Sequence, residues 1–134
     1  MSELIGKGLK ILVLDDEEDI RHFSREFFQR RGFAVSTAAT SRAAFLFVKR
    51  TRFDIAVLDI HLHRGNKSGI DVLRLIREIR PDCYCIMLTR DNDQKIMEEA
   101  ARLGASDYLV KPLTLQKVET AIKKVVKKIR KGAG

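Results

Sequence analysis

Four short apolar runs in this chain each end on a residue able to do chemistry. Lys10-Ile11-Leu12-Val13-Leu14 ends on Asp15-Asp16, and Ile55-Ala56-Val57-Leu58 ends on Asp59. Tyr84-Cys85-Ile86-Met87-Leu88 ends on Thr89, and Asp107-Tyr108-Leu109-Val110 ends on Lys111-Pro112. An unbroken apolar run reads as a strand buried on both faces, as in a parallel sheet. Such a sheet forms its ligand crevice outside the carboxyl ends of its strands. The runs therefore predict one edge where Asp15, Asp16 and Asp59 meet a hydroxyl and an ammonium. Three carboxylates there cannot all ionise comfortably without a cation. A donor set of carboxylate oxygens without thiolate suits Mg²⁺, or Mn²⁺. A metal, an ammonium and a hydroxyl around one carboxylate suit phosphoryl transfer onto it, with Lys111 neutralising phosphoryl charge and Thr89 hydrogen-bonding one oxygen.

The elements that must hold these residues alternate along the chain. After the first strand, Glu17-Glu18-Asp19 places acids at a helix N-terminus. Ile20, Phe23, Phe27 and Phe28 follow at helical spacing, and Gly32 reads as the stop. Phe33-Ala34-Val35-Ser36 is a short second strand. Thr40 or Ser41 caps a second helix with Ala44, Phe45, Leu46 and Val48 on its inner face. A third helix from about Gly69 to Ile79 turns Ile70, Leu73, Ile76 and Ile79 inward, and a fourth runs from about Asp93 to Leu103. Thr114 caps a fifth, whose inner stripe is Leu115, Val118, Ile122, Val125 and Ile129. Five strands alternating with five helices predict a doubly wound α/β fold with helices on both faces of a parallel sheet.

A chain of 134 residues is read as a single domain, 1–134 with its core in about 9–130, large enough to bury a core without staples. No apolar run approaches the ~20 residues of a membrane span. The cytoplasm is the expected setting, with no membrane partner. Cys83 and Cys85, two apart in one strand, should share the face of Met87 as buried core thiols. The net charge of +8 is unevenly spread, since residues 111–134 hold eight Lys/Arg against one Glu and the rest 18 against 17. This predicts a basic C-terminal helix with a solvated face or a docking surface for an acidic partner.

The motifs Val13-Leu14-Asp15-Asp16-Glu17, Val57-Leu58-Asp59-Ile60, Met87-Leu88-Thr89 and Tyr108-Leu109-Val110-Lys111-Pro112, in this order, resemble the receiver domains of two-component response regulators. The resemblance covers nearly the whole chain. It implies the five-stranded flavodoxin-like sheet with strand order 2-1-3-4-5. It implies that Asp59 accepts a phosphoryl group from the phosphohistidine of a sensor histidine kinase. Asp16 and Asp59 would ligate Mg²⁺ directly with the backbone carbonyl of His61, and Asp15 would act through water. Thr89 and Tyr108 match the switch pair, and Lys111-Pro112 would carry a cis peptide bond. A downstream acidic protein, or a phosphorylation-dependent homodimer using Glu98, Glu99 and the last-helix lysines, is the implied partner.

The sequence departs from that family in two places. His63 stands where the family usually has Pro, and Gly69 comes ten residues after Asp59 instead of eight, so the 61–68 segment is long and basic. The residue after Thr89 is usually small, and here it is Arg90, followed by Asp91. Arg90 either pairs with Asp91 or points away, or its guanidinium covers the phosphoryl site. His61 and His63 also form an H-x-H pair beside a carboxylate, which is read as solvated loop histidines and not as a transition-metal site. Two other functions compete. One is a basic nucleic-acid-binding module using Lys123, Lys124, Lys127, Lys128, Arg130 and Lys131, which lacks interleaved aromatics. The other is an Asp-nucleophile phosphatase, which usually has a second acid where His61 stands.

Overall fold

The computed structural model describes residues 4–62, 68–90 and 94–133. In chain order the elements are β1 (Lys10–Leu14), α1 (Glu18–Arg30), β2 (Ala34–Ala38), α2 (Ser41–Arg50), β3 (Ile55–Asp59), α3 (Gly69–Ile79), β4 (Tyr84–Thr89), α4 (Gln94–Arg102), β5 (Asp107–Val110) and α5 (Leu115–Ala133). All neighbouring strands pair in parallel, in the order β2-β1-β3-β4-β5. The expected architecture and strand order are both found.

Strand residues divide between two cores by the two-residue period of the pleat. Leu12, Leu14, Ala56, Leu58, Cys85 and Met87 face α2 and α3, packing with Ala44, Val48, Leu73 and Ile76. Ile11, Val13, Ile55, Val57, Ile86 and Leu88 face α1 and α5, packing with Phe27, Phe28, Val118, Ile122 and Val125. β3 is buried along its whole length, which its unbroken apolar run required. Cys83 and Cys85 are free, buried and on the same side as Met87, as expected. Deleting a side chain as buried as Leu58 costs about 2–5 kcal/mol, so these two layers hold the strand ends in place.

Local signals set the helix ends. The Thr40 hydroxyl accepts from the backbone N–H of Ala43 and caps α2. Ser68 and Asp71 form a reciprocal capping box at the start of α3. After α1 the chain reverses at Gly32, whose φ of +92° is costly for any residue with a Cβ.

Three expected core residues lie outside the core. Leu46, Ile79 and Leu115 are 47%, 37% and 63% exposed. Leu46 is two positions from buried Ala44, about 200° around the helix, and α2 buries Ala44 and Val48 instead. Ile79 closes α3 and Leu115 opens α5, in end turns where solvent reaches one side. His63, most of the lengthened segment after it, and Asp91 lie outside the described residues.

β1 and β3 lie side by side, and from their carboxyl ends the chain runs to β2 on one side and to β4 on the other. Ligands bind at such a reversal in open α/β sheets. Asp15, Asp59, Thr89 and Lys111 all stand at that edge.

Candidate functional site

Asp15 and Asp59 are each held by backbone as well as by charge. The Asp15 N–H donates to the carbonyl of Ala38 at 3.0 Å, fastening the end of β1 to β2. Its Oδ1 accepts from the Glu17 N–H at 2.9 Å, closing an Asx-type turn before α1. The Arg21 guanidinium donates to the Asp15 carbonyl at 2.9 Å. Asp59 Oδ1 accepts from the His61 N–H at 3.0 Å. α3 begins directly against this strand end, and a Cβ on Gly69 would lie 2.2 Å from the Asp59 carbonyl oxygen. No other residue fits there without moving the helix or the acceptor strand.

Lys111 draws the set together. Its Nζ lies 2.9 Å from Asp15 Oδ2, 3.2 Å from Asp59 Oδ2 and 2.8 Å from Glu17 Oε2. The Lys111 N–H also donates to the Thr89 carbonyl at 2.7 Å, so β4 fixes where the ammonium enters. The Lys111-Pro112 bond is cis, as the resemblance implies. Asp15 and Asp59 are fully buried, and Thr89 is 1% exposed.

The charges do not balance. Burial, then the neighbouring Asp15 carboxylate, push Asp59 up from 3.8 to about 6, against the pull of Lys111. A hydrogen bond from Lys111 holds Glu17 below the usual carboxylate range, and the nearby Arg90 charge adds to that. Burial pulls the Lys111 ammonium down, but its bonds to Glu17 and Asp15 outweigh this and raise it. Oxygens of Asp15, Asp16 and Glu17 lie within 4.8 Å of one another. Asp59 joins that group through Lys111. The donor set is therefore all carboxylate, crowded and short of positive charge. It fits Mg²⁺ or Mn²⁺ and has no thiolate to favour a softer metal.

The structure brings Asp15, Asp16, Asp59, Thr89 and Lys111 to one edge, as the sequence predicts. Tyr108 is placed differently, two residues before the end of β5, with its hydroxyl donating to the Met97 carbonyl of α4 at 2.6 Å. Arg90 is exposed, and its charge reaches Glu17. Two contacts were not foreseen. Glu17, read as a helix-start acid and the last residue of the first motif but given no site role, is a direct partner of Lys111, and its place beside Asp15-Asp16 was the available signal. The His61 ring, read as solvated, lies 3.4 Å from the Thr89 hydroxyl.

The family model of the response regulator receiver domain matches residues 11–123. The chain belongs to the response regulator receiver family. This receiver is 31% identical over 118 residues to the photosynthetic apparatus regulatory protein RegA of Cereibacter sphaeroides, covering 88% of this chain and 63% of RegA. It is 31% identical over 121 residues to the chemotaxis protein CheY of Thermotoga maritima, covering 90% of this chain and 99% of CheY. A CheY-like receiver domain from Methanospirillum hungatei superposes with a TM-score of 0.86 at 24% identity, over 92% of this chain and 98% of that one, a likeness of fold. The receiver spans 63%, 52% and 54% of the lengths of three curated regulators it matches. It is a receiver domain of two-component response regulators, a signalling domain consistent with phosphorylation switching, and the nucleic-acid-binding reading is not favoured. Among the described residues no helix is long and apolar enough to cross a membrane.

Proposed function

We propose that Asp59 is the phosphoryl acceptor of this receiver. An Asp59 oxygen attacks phosphorus, the P–N bond of a kinase phosphohistidine breaks, and its electron pair leaves on the imidazole. The observation that carries this reading is the buried Asp59 carboxylate joined to Lys111, itself shared with Asp15 and Glu17. With its pKa raised to about 6, Asp59 is still about tenfold in favour of the ionised nucleophile at pH 7. Lys111 is poised to neutralise charge passing onto the phosphoryl oxygens, and the Thr89 hydroxyl to bond one of them. Mg²⁺, or Mn²⁺, when bound would supply the remaining positive charge, held by Asp16, Asp59 and the His61 carbonyl, with Asp15 acting through water. The change reaches the surface through Thr89 and through Tyr108, whose bond to Met97 ties β5 to α4.

The phosphodonor is a sensor histidine kinase, the setting is the cytoplasm, and residues 1–134 act as one receiver domain. The output partner is acidic. Lys124, Lys127, Lys128 and Lys131 are exposed on one side of α5 and meet no carboxylate among the described residues. Glu119, the acid of that helix, is held by Arg31 at 2.6 Å and Lys123 at 3.3 Å. The homodimer reading needs Glu98 and Glu99, but Glu99 pairs with Arg74 and Glu98 accepts from Gln94, which favours a separate acidic protein.

Incubation with Mg²⁺ and acetyl phosphate tests the acceptor. Intact mass should show one added phosphoryl group on the wild type and none on Asp59→Asn. Equal labelling of the two would overturn the assignment.

A further inference from the structure

His61 touches two strand ends with two different groups. Its backbone N–H donates to Asp59 at the end of β3, and its ring Nε2 lies 3.4 Å from Thr89 Oγ1 at the end of β4. Thr89 is 1% exposed, so its hydroxyl takes direction from protein neighbours more than from bulk water. We propose that His61 is a positioning residue, whose Nε2–H donates to Thr89 Oγ1 and so turns the hydroxyl proton toward a phosphoryl oxygen on Asp59. This rests on the reading of Asp59 as the acceptor.

The two ring tautomers would act in opposite directions. A hydroxyl has one proton to give and two lone pairs to offer, whereas a phosphoryl oxygen only accepts. If Nε2 accepted, it would take the proton that the phosphoryl group needs, and the ring would be a competitor. If Nε2–H donates, it occupies a lone pair, leaves the proton available, and the two bonds in series polarise each other. The surroundings select donation. Three carboxylates already share the Lys111 ammonium at this edge, and phosphorylation adds further negative charge. An N–H dipole directed into that field is favoured over a lone pair.

Substitution can isolate the ring, because His61→Ala keeps both the N–H that holds Asp59 and the backbone carbonyl. Labelling rates with acetyl phosphate at fixed Mg²⁺ are read by intact mass for four proteins and a double mutant. His61→Ala should slow labelling about two- to tenfold, the size of one hydrogen bond. His61→Gln, whose amide N–H reaches about as far as Nε2, should recover most of that loss. In a Thr89→Val background, His61→Ala should change nothing further, because the ring acts through the hydroxyl. Labelling of His61→Ala at or above the wild-type rate overturns the proposal. So does an equal loss in the Thr89→Val background, or a glutamine variant no better than alanine. A wild type that takes no phosphoryl group would overturn the acceptor reading, and this inference with it.

Discussion

Two ends of the same sheet each gather acceptors around one cation and treat it in opposite ways. At the carboxyl end, Lys111 is shared by three carboxylates, Asp15, Glu17 and Asp59. At the amino end of β4, Arg77 donates to the Pro81 carbonyl at 3.0 Å, to the Cys83 carbonyl, and to Cys85 Sγ at 3.3 Å. The first cluster has more negative charge than its cation can balance, and the second has a full cation serving neutral acceptors. Contact with Cys85 and burial push the Cys83 thiol up, contact with Cys83 and Arg77 holds the Cys85 thiol down, and the Asp82 carboxylate stands near enough to act on Cys83. The Lys111 cluster leaves negative charge for a ligand to complete, while the Arg77 cluster spends its cation on neutral acceptors.

The largest effect should come from removing the shared cation. Lys111→Ala leaves buried carboxylates facing one another, and loss of one partner from a buried pair costs about 3–5 kcal/mol. Unfolding in metal-free buffer should show a loss of that order, partly recovered by millimolar Mg²⁺, which binds the folded state. A Mg²⁺-independent loss would make Lys111 a structural pair like its counterpart at the other end. Arg77→Ala should cost less, about 1–3 kcal/mol for carbonyls left without donors, with Asp59 labelled at the wild-type rate. Slower labelling in a well-folded Arg77→Ala protein would break the contrast between the two ends.

The smallest effect is expected at Arg90. A phosphoaspartate is lost when water attacks phosphorus in line, the P–O bond to Asp59 breaks, and carboxylate and inorganic phosphate are released. Arg90 is close enough for its charge to lower the Glu17 pKa, so its guanidinium stands near the rim of the site. A long cation there can bond phosphoryl oxygens and block the approach of water. It also eases attack by neutralising charge, but its bulk is expected to dominate. Arg90→Ala should shorten the phosphoaspartate lifetime several-fold, on the order of 1 kcal/mol in the barrier. Decay of the phosphorylated mass at equal Mg²⁺ is the readout, and an unchanged lifetime would remove the shielding role.

The strand ends were legible because strands buried on both faces leave nowhere for a charge except their termini. Asp59 and Thr89 are each the last residue of their strand. Helical periodicity gave the inner faces of α3 and α5, but not how far each helix carries that face past the sheet, hence Ile79 and Leu115. The contacts that define the site's balance were not legible. Glu17 and Lys111 are 94 positions apart, and His61 and Thr89 are 28 apart. Their meeting depends on strand order and on where flexible side chains reach, which no local pattern encodes.

The carboxyl edge carries uncompensated charge centred on Asp59. An acid whose folded pKa is raised binds more protons folded than unfolded. Its contribution therefore favours folding at low pH and is lost as pH rises between 3.8 and about 6. The shift corresponds to about 3 kcal/mol. The direct measurement is denaturant unfolding of wild type and Asp59→Asn in metal-free buffer from pH 4 to pH 8. The stability of the wild type relative to Asp59→Asn should fall across that window and level off above about pH 6, leaving the asparagine variant the more stable protein. A relative stability that is flat or rises with pH would instead make Asp59 a satisfied structural carboxylate.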